Sequence, residues 1–556
     1  MGSISLTWQD LAEKKRQSLL DLIPSEWCIP LPIPSAKERR DVTGAYTHQF
    51  LSPHEIAITE TNAAEIVKNT CNGSWTATEV VTAFCHRAAL AHQLLNCLHE
   101  IFFDQAIAKA KALDALFAEG GPVGPLHGLP VSLKDQFHVE GVETTMGYVG
   151  WIDTFEGEKG TGKERVFESE MVRELRKCGA IPFCKTSVPH TLMAAETKNN
   201  IIGCTLNPFN RNMSCGGSSG GEGALIGFRG SPAGFGTDIG GSVRIPSGFN
   251  GLFGLRPSHG RLPYGGAANS MDGQNTIRSV AGPIATSAKS LKLLTKSILN
   301  QEPWLYDPLV VEMPWREQSK ADTLSFGIVM TESGVRPQPP VRRALDTVIS
   351  VAKKLGHGLV EWNPPSHKKA LEIGFSVFLS DGGLDIHKHI GLSGEPLHPR
   401  VAELYGNTPS APITADKVAE NYLQQRAYQK EYLDYWNSTA MQTGTGRPVD
   451  AVICMLSPMA ALQLDSWMFI GCTPWVNVLD YSAIVIPVTK VDKDIDKFDE
   501  AYQPVNEDDR KTWESYNPDI QHGTPVGIQI VGRRFNEEKL IEIAELFEEA
   551  LKDLSE

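Results

Sequence analysis

No two cysteines in this chain stand as C-x-x-C: Cys28, Cys71, Cys85, Cys97, Cys178, Cys184, Cys204, Cys215, Cys454 and Cys472 are all spaced otherwise. That argues against thiolate metal frames and dithiol redox motifs, and MGSISLTWQDLAEKKRQSLL has no apolar core of secretory type. The thiols are therefore expected to be reduced and buried in a cytoplasmic protein, not paired in a disulfide frame. Long apolar runs are missing as well, since none approaches the roughly 18 residues that a bilayer span needs. Leu6 stands where N-myristoylation wants Ser or Thr, and Leu554-Ser555-Glu556 is no peroxisomal ending. Basic charge is in deficit: Lys+Arg 52 against Asp+Glu 66 leaves a net charge of -14, which disfavours nucleic acid and anionic membranes as partners. There is no internal repeat of solenoid period. His387 and His389 form an H-x-H pair, but no second His or Asp cluster has the spacing to complete a metal shell. They are expected on the surface, and neither a metal nor a cofactor is expected.

What is present is an ordinary globular composition, 556 residues with 41% hydrophobic and 21% charged, long enough to bury an extensive core. One stretch, from Met213 to Pro246, is unusual: MSCGGSSGGEGALIGFRGSPAGFGTDIGGSVRIP. Glycine and serine at this density most often make a linker, yet Ala224 to Phe228 and Val243 to Ile245 supply apolar residues that linkers lack. Ser218, Ser219 and Ser242 stand out chemically. A serine hydroxyl is a poor nucleophile until a base takes its proton, and no His, Asp or Glu motif of a hydrolase triad lies near. Upstream, GLPVSLKDQF places Lys134 at the end of Leu129 to Leu133, which reads as a buried strand. Burial there lowers an ammonium pKa, so the lysine can lose its charge.

Lys134, the GGSSGG loop and TDIGGSVRIPS together resemble the amidase signature family. The resemblance implies a Ser-cisSer-Lys triad: Ser242 as nucleophile, Ser218 as the bridging serine after a cis peptide bond with Gly217, and Lys134 as base. Gly240 and Gly241 would let the backbone N–H groups of Ile239, Gly240, Gly241 and Ser242 converge into an oxyanion hole. A narrower likeness, to the fungal acetamidases within that family, rests on PVGPLHGLPVSLKDQF, KTSVPHTL, IIGCTLNP, GLFGLRPSHGRLPY, ANSMDG, QEPW and HGTPVGIQIVGRR. It implies a cofactor-free hydrolase that cleaves small carboxylic acid amides, acetamide-like primary amides, to the acid and ammonia through an acyl-enzyme. The family's fold is α/β, a central mixed sheet covered by helices on both faces, and commonly forms a homodimer. Leu192 and Met193 stand where related enzymes line the acyl pocket, or are plain core residues; Gly217 and Ser219 flank the bridging serine beside the substrate. A carboxylesterase, a hydrolase of larger or aryl amides, and an ammonia-producing amidotransferase subunit remain as alternatives on the same fold.

Other motifs compete for the same residues. Gly216, Ser218 and Gly220 match a G-x-S-x-G nucleophile elbow, but the preceding NPFNRNMSC reads as turns where a strand is required. GEKGTGKE, Gly157 to Glu164, nearly spells a P-loop, with Glu164 where a Mg-binding hydroxyl belongs, so an exposed turn is expected. Asp135 and Asp238 either hold backbone or tune Lys134, and Arg244 reads as an ion-pair anchor.

Along the chain, residues 1–60 read as an N-terminal helix, Leu6 to Leu20, and a proline-studded wrapping arm. Residues 61–556 read as a single catalytic domain with its core signature at 213–247. Helical spacing runs from Thr61 through Val67 and from Thr76 through Leu116. Strands are expected at Leu129 to Leu133, Ala180 to Cys184, Gly234 to Gly236, Leu324 to Met330, Gly358 to Trp362, Ala451 to Met455, Ser482 to Val488 and Val526 to Val531. Helices alternate with them at Glu168 to Lys177, Ser287 to Leu299, Pro340 to Leu355 and Asn536 to Leu551, and a helical insert spans about 366–444. The alternation argues for α/β layers around one sheet.

Overall fold

The computed structural model describes residues 6–318 and 323–554; Met1 and Gly2, and the terminal Ser555 and Glu556, lie outside it. Among the described residues thirteen strands are formed: β1 (Leu98–Ile101), β2 (Pro130–Lys134), β3 (Ile181–Thr186), β4 (Lys198–Asn199), β5 (Gly203–Cys204), β6 (Ala233–Asp238), β7 (Phe253–Arg256), β8 (Val280–Ala285), β9 (Ser325–Ile328), β10 (Gly358–Glu361), β11 (Ala451–Cys454), β12 (Ala483–Lys490) and β13 (Pro525–Val531). Eleven of them make one sheet in the order β1-β3-β2-β6-β8-β7-β12-β13-β11-β9-β10, and β4 and β5 pair separately. The strands β3, β2 and β6 run parallel, as do β11, β9 and β10, while the pairs from β6 through β8, β7, β12 and β13 to β11 are antiparallel. The sheet is therefore mixed, as expected.

Its two faces are covered by different helices, and the alternation of strand side chains shows it. In β11, Ala451 and Ile453 enter a core with Val341, Leu345 and Val348 of the helix Pro339–Lys354 and Leu540 and Ile541 of Glu537–Lys552. Val452 and Cys454 face the other way, into a second core with Ile373 of His367–Phe378, Tyr428, Tyr432 and Trp436 of Ala415–Ser438, and Trp475. The stretch read as an insert thus carries helices, and they cover one face of the C-terminal half of the sheet.

The amino-terminal helix Trp8–Leu20 starts at a Thr7–Asp10 capping box. It is tied down by Lys15, whose ammonium meets Glu100 at 2.5 Å and Glu143 at 2.6 Å. The arm that follows returns to the body at Val42, whose N–H donates to Pro208 O at 3.0 Å.

Three expectations need correction. The helices read from Thr76 through Leu116 are there, but a strand parts them: Asn96, left-handed at φ 53°, ends the helix Ala77–Leu95, and β1 intervenes before Phe103–Gly120. Leu98–Ile101 is drawn into the sheet edge by antiparallel pairing with β3, which outweighs local helical periodicity. His389 is buried, not on the surface: Leu384–Gly391 turns it inward, where it accepts from Trp151 Nε1 at 3.0 Å and meets Asp385 at 3.4 Å. Cys28 is exposed, while Cys71 and Cys204 are half-buried; the other cysteines are buried, and none is in a disulfide.

Candidate active site

Lys134 is the last residue of β2 and is fully buried between the parallel strands β3 and β6. Its Nζ lies 2.7 Å from Ser218 Oγ and 2.7 Å from Thr237 Oγ1 on β6. Thr237 donates its own hydroxyl hydrogen to Gln136 Oε1, so towards Lys134 it can only accept. One amine N–H is thereby spent on Thr237, which leaves the lone pair of a neutral amine free to face Ser218. Burial pushes the lysine pKa down from 10.5 to about 7, against the opposing pull of the Asp238 and Glu222 carboxylates.

Ser218 precedes the helix Gly220–Gly227 and follows a cis peptide bond from Gly217. Ser219 fastens this turn to its surroundings. Its hydroxyl donates to Thr237 O at 3.2 Å and accepts from Thr237 N at 3.2 Å, while its N–H donates to Ser242 O at 3.1 Å. Lys134, Ser218 and the Ser242 loop are brought together by these bonds. Ser218 is buried and Ser242 is half-buried, so the row runs from the dry sheet towards solvent.

The signature glycines are explained by what crowds them. A Cβ on Gly234 would lie 1.9 Å from Glu222 Oε2, and one on Gly236 would lie 2.5 Å from Ser219 Oγ. The strand gives up two side chains to make room for a polar layer. Within it the buried Glu222 accepts from Ser132 Oγ at 2.6 Å and Thr186 Oγ1 at 2.8 Å. Burial raises its carboxyl to about 7 against those hydrogen bonds and the attraction of Lys134.

The loop from Ile239 to Ser242 is held by Asp238. Its Oδ1 accepts from Gly241 N at 2.8 Å, and its Oδ2 accepts from Val243 N at 3.1 Å. Burial would raise this carboxyl, but the Arg244 guanidinium, 3.0 Å from both oxygens, holds it far below the usual carboxylate range. Arg244 in turn reaches Thr473 O, Gln529 Oε1 and Asn477 Oδ1, and Thr473 Oγ1 donates to Gly240 O at 2.6 Å. Gly241 sits at φ 128°, where a Cβ would collide with Thr473 Oγ1 at 2.4 Å. The Gly241 N–H is thus committed to Asp238. Among the described residues, the N–H groups of Ile239, Gly240 and Ser242 have no acceptor. Three of the four amides expected to converge are left free by the loop.

Of the residues read as substrate-binding, Gly217 backs onto the segment after Met193: a Cβ there would meet Ala194 O at 2.7 Å. Leu192 is buried in an apolar cluster with Tyr148, Trp151, Ile386 and Ile390, and Met193 packs half-buried against it. Ser219 spends its hydroxyl on β6, as described. Asp135 is occupied by Lys185 at 2.8 Å and by Met146 N at 2.7 Å. The elbow reading fails, since among the described residues no strand runs directly into Ser218, β5 ending at Cys204, and GEKGTGKE is an exposed turn. Among the described residues no group of His, Cys, Asp and Glu could hold a metal ion, and no helix is long and apolar enough to cross a membrane.

A family model described as Amidase matches residues 79–541. The chain belongs to the amidase family. As an amidase it is a hydrolase of amide C–N bonds, and its curated relatives agree. It is 45% identical over 97% of its length to an acetamidase of Aspergillus oryzae, covering 98% of that protein. It is 44% identical to an acetamidase of Emericella nidulans, over 97% of each chain. Among solved structures, a fatty acid amide hydrolase superposes with a TM-score of 0.91 at 33% identity, over 98% of this amidase and 95% of that chain.

Several residues of the candidate site escape sequence reasoning. Thr237 and Glu222 lie inside the signature stretch, where only their position next to Asp238 and the GGSSGG loop singles them out. Thr473, Asn477 and Gln529 have no local signal, because they reach the loop from segments more than 200 positions away in sequence.

Proposed function

We propose that the protein hydrolyses small primary amides, acetamide among them, to the carboxylic acid and ammonia by a serine acyl-enzyme route in which Ser242 is the nucleophile, Ser218 the relay and Lys134 the base. The observation that carries this reading is the 2.7 Å contact between Ser218 Oγ and a fully buried Lys134 whose pKa is near 7. Neutral Lys134 accepts the Ser218 proton as Ser218 takes the proton of Ser242, and Ser242 Oγ bonds to the amide carbon. The carbonyl oxygen becomes an anion facing the free N–H groups of Ile239, Gly240 and Ser242. The Gly241 N–H serves differently from the expectation, by fixing the loop through Asp238. Each donor of this kind is worth about 3 kcal/mol in the transition state. The proton returns through Ser218 to the leaving amine, ammonia departs, and water deprotonated by the same relay releases the acid.

The acetamidase relatives favour a short acyl group, and Leu192 and Met193, in the segment that leads into the Ala194 against which Gly217 backs, are the apolar residues proposed to bound it. The test is ammonia release from acetamide, propionamide, butyramide, hexanamide and benzamide by wild type and Ser242→Ala. Turnover of the short amides by wild type alone is expected. Ester cleavage without ammonia release from any amide would overturn the substrate class, and full activity in Ser242→Ala would overturn the nucleophile.

A further inference from the structure

Away from the serines, a cleft of about 590 Å³ opens between the helix Ala415–Ser438 and the segment that follows β13. Its lining includes three guanidiniums, Arg278, Arg533 and Arg534, against one carboxylate, Asp480. Both oxygens of that carboxylate are already in use: Oδ2 meets Arg534 at 2.7 Å, and Oδ1 accepts from Arg256 at 3.0 Å and from His259 N at 2.8 Å. Arg278 and Arg533 are left without a counter-charge. Arg278 donates to Asn275 O and contacts His259 Nδ1 at 3.3 Å, and Arg533 donates to Asn437 Oδ1 at 3.2 Å. Among the described residues neither joins an ion pair.

In a protein of net charge -14, a concave site with this excess of unpaired arginine is not explained by solubility. Burial, reinforced by the neighbouring Arg278 charge, pushes His259 down to about 4. The imidazole is therefore neutral at pH 7, and with Nδ1 accepting from Arg278 its Nε2 carries the hydrogen. Tyr481, also in the lining, has a buried hydroxyl with no hydrogen-bond partner among the described residues. Asn477, buried in the lining, is held by its donation to Asp238 Oδ1 at 2.9 Å and by acceptance from Arg244 at 2.6 Å. Leu433 and Tyr422 give the rim an apolar flank. Guanidinium groups bind carboxylate and phosphate through paired N–H donors, and the volume suits a small organic molecule.

We infer that this cleft is a binding site for a small organic anion bearing carboxylate or phosphate groups, outside the row of Lys134, Ser218 and Ser242, although Asn477 borders both. Lys134, Ser218 and Ser242 take no part in its lining.

The test is isothermal titration calorimetry of the full-length protein at low ionic strength with two probes, citrate and inorganic phosphate, whose relative affinity tells the two chemistries apart. Single-site binding of at least one probe is expected. Removing both unpaired guanidiniums, Arg278→Gln with Arg533→Gln, should weaken it about ten-fold or more, since both charge-assisted donors to the anion are lost. Leu433→Glu, on the exposed rim, adds a repelling charge without disturbing any arginine contact, and it decides the matter should the double variant not fold. Binding of neither probe to wild type, or equal binding to wild type and Leu433→Glu, overturns the inference.

Discussion

Amide hydrolysis should switch off as the pH falls through 7, and the limb should belong to Lys134. Its pKa of about 7 makes the neutral amine roughly nine-tenths of the population at pH 8 and one-tenth at pH 6, so kcat/KM for acetamide should fall about ten-fold between them. An ordinary lysine would put the limb above pH 10. Glu222 complicates the assignment, because its carboxyl is also raised to about 7. The two are separable by sign. Glu222→Gln removes a negative charge that favours the ammonium, so the Lys134 limb should survive and move to lower pH. Thr237→Val should move it the same way, because the lost hydrogen bond is stronger to the charged amine. Lys134→Met should lose the limb altogether, with a fall in kcat on the order of 10²–10⁴, the usual worth of a positioned base. The assay is the initial rate of ammonia release from pH 5 to 9. A wild-type profile flat across that range, or a limb that disappears in Glu222→Gln, would refute the reasoning.

Three further outcomes follow from the site. Asp238→Asn breaks a buried ion pair and leaves Arg244 uncompensated, so urea denaturation at pH 7 should show a loss of about 3–5 kcal/mol. Because the folded Asp238 pKa lies far below its ordinary 3.8, that stability is present above this value and lost below it; the gap between the two proteins should close as the pH is lowered past it. Gly221→Ala should destabilise by at least about 2 kcal/mol, since its Cβ would stand 2.3 Å from Ser187 N and 2.5 Å from Ser187 O, backbone atoms of β3's extension that cannot rotate away; thermal unfolding reads it. On the proposal that Met193 bounds the acyl group, Met193→Ala should shift the preferred amide to a longer acyl chain with kcat for acetamide little changed. An unchanged preference across the amide series would remove Met193 from the pocket.

Much of the strand and helix alternation after β2 could be read from the sequence because those elements bury a regular apolar face, as Val341, Leu345 and Val348 do. Where burial is supplied by partners, the pattern is silent. Phe253–Arg256 and Val280–Ala285 carry glycine or proline and look like turns, yet they are central strands, β7 and β8, paired on both sides. Leu98–Ile101 hides in helical spacing, and His389 looks like a surface residue until Trp151, far upstream, covers it. Ser218 and Ser242 were legible because one stretch concentrates glycine and serine, and Lys134 because it ends an apolar run upstream. Thr473, Asn477 and Gln529 were not, because the carbonyl and amide groups that hold a loop impose no spacing on the sequence that brings them there.

On the proposed mechanism the two demands of this chemistry conflict in space. A lysine neutral near pH 7 has to be dry, and Lys134 is buried on the middle one of three parallel strands, between β3 and β6. A nucleophile that meets soluble amides and then water has to be reachable, and Ser242 is half-buried on a loop beyond the end of β6. Bringing Lys134 into direct contact with Ser242 would either expose the amine, restoring its charge, or seal the nucleophile. Ser218 resolves this by standing in the buried layer while Ser219 fastens the same turn to the carbonyl of Ser242. The bridging serine is then a consequence of desolvating an amine base, and the glycines at 234 and 236 follow from the same requirement, because the polar layer under Lys134 occupies the volume their side chains would fill.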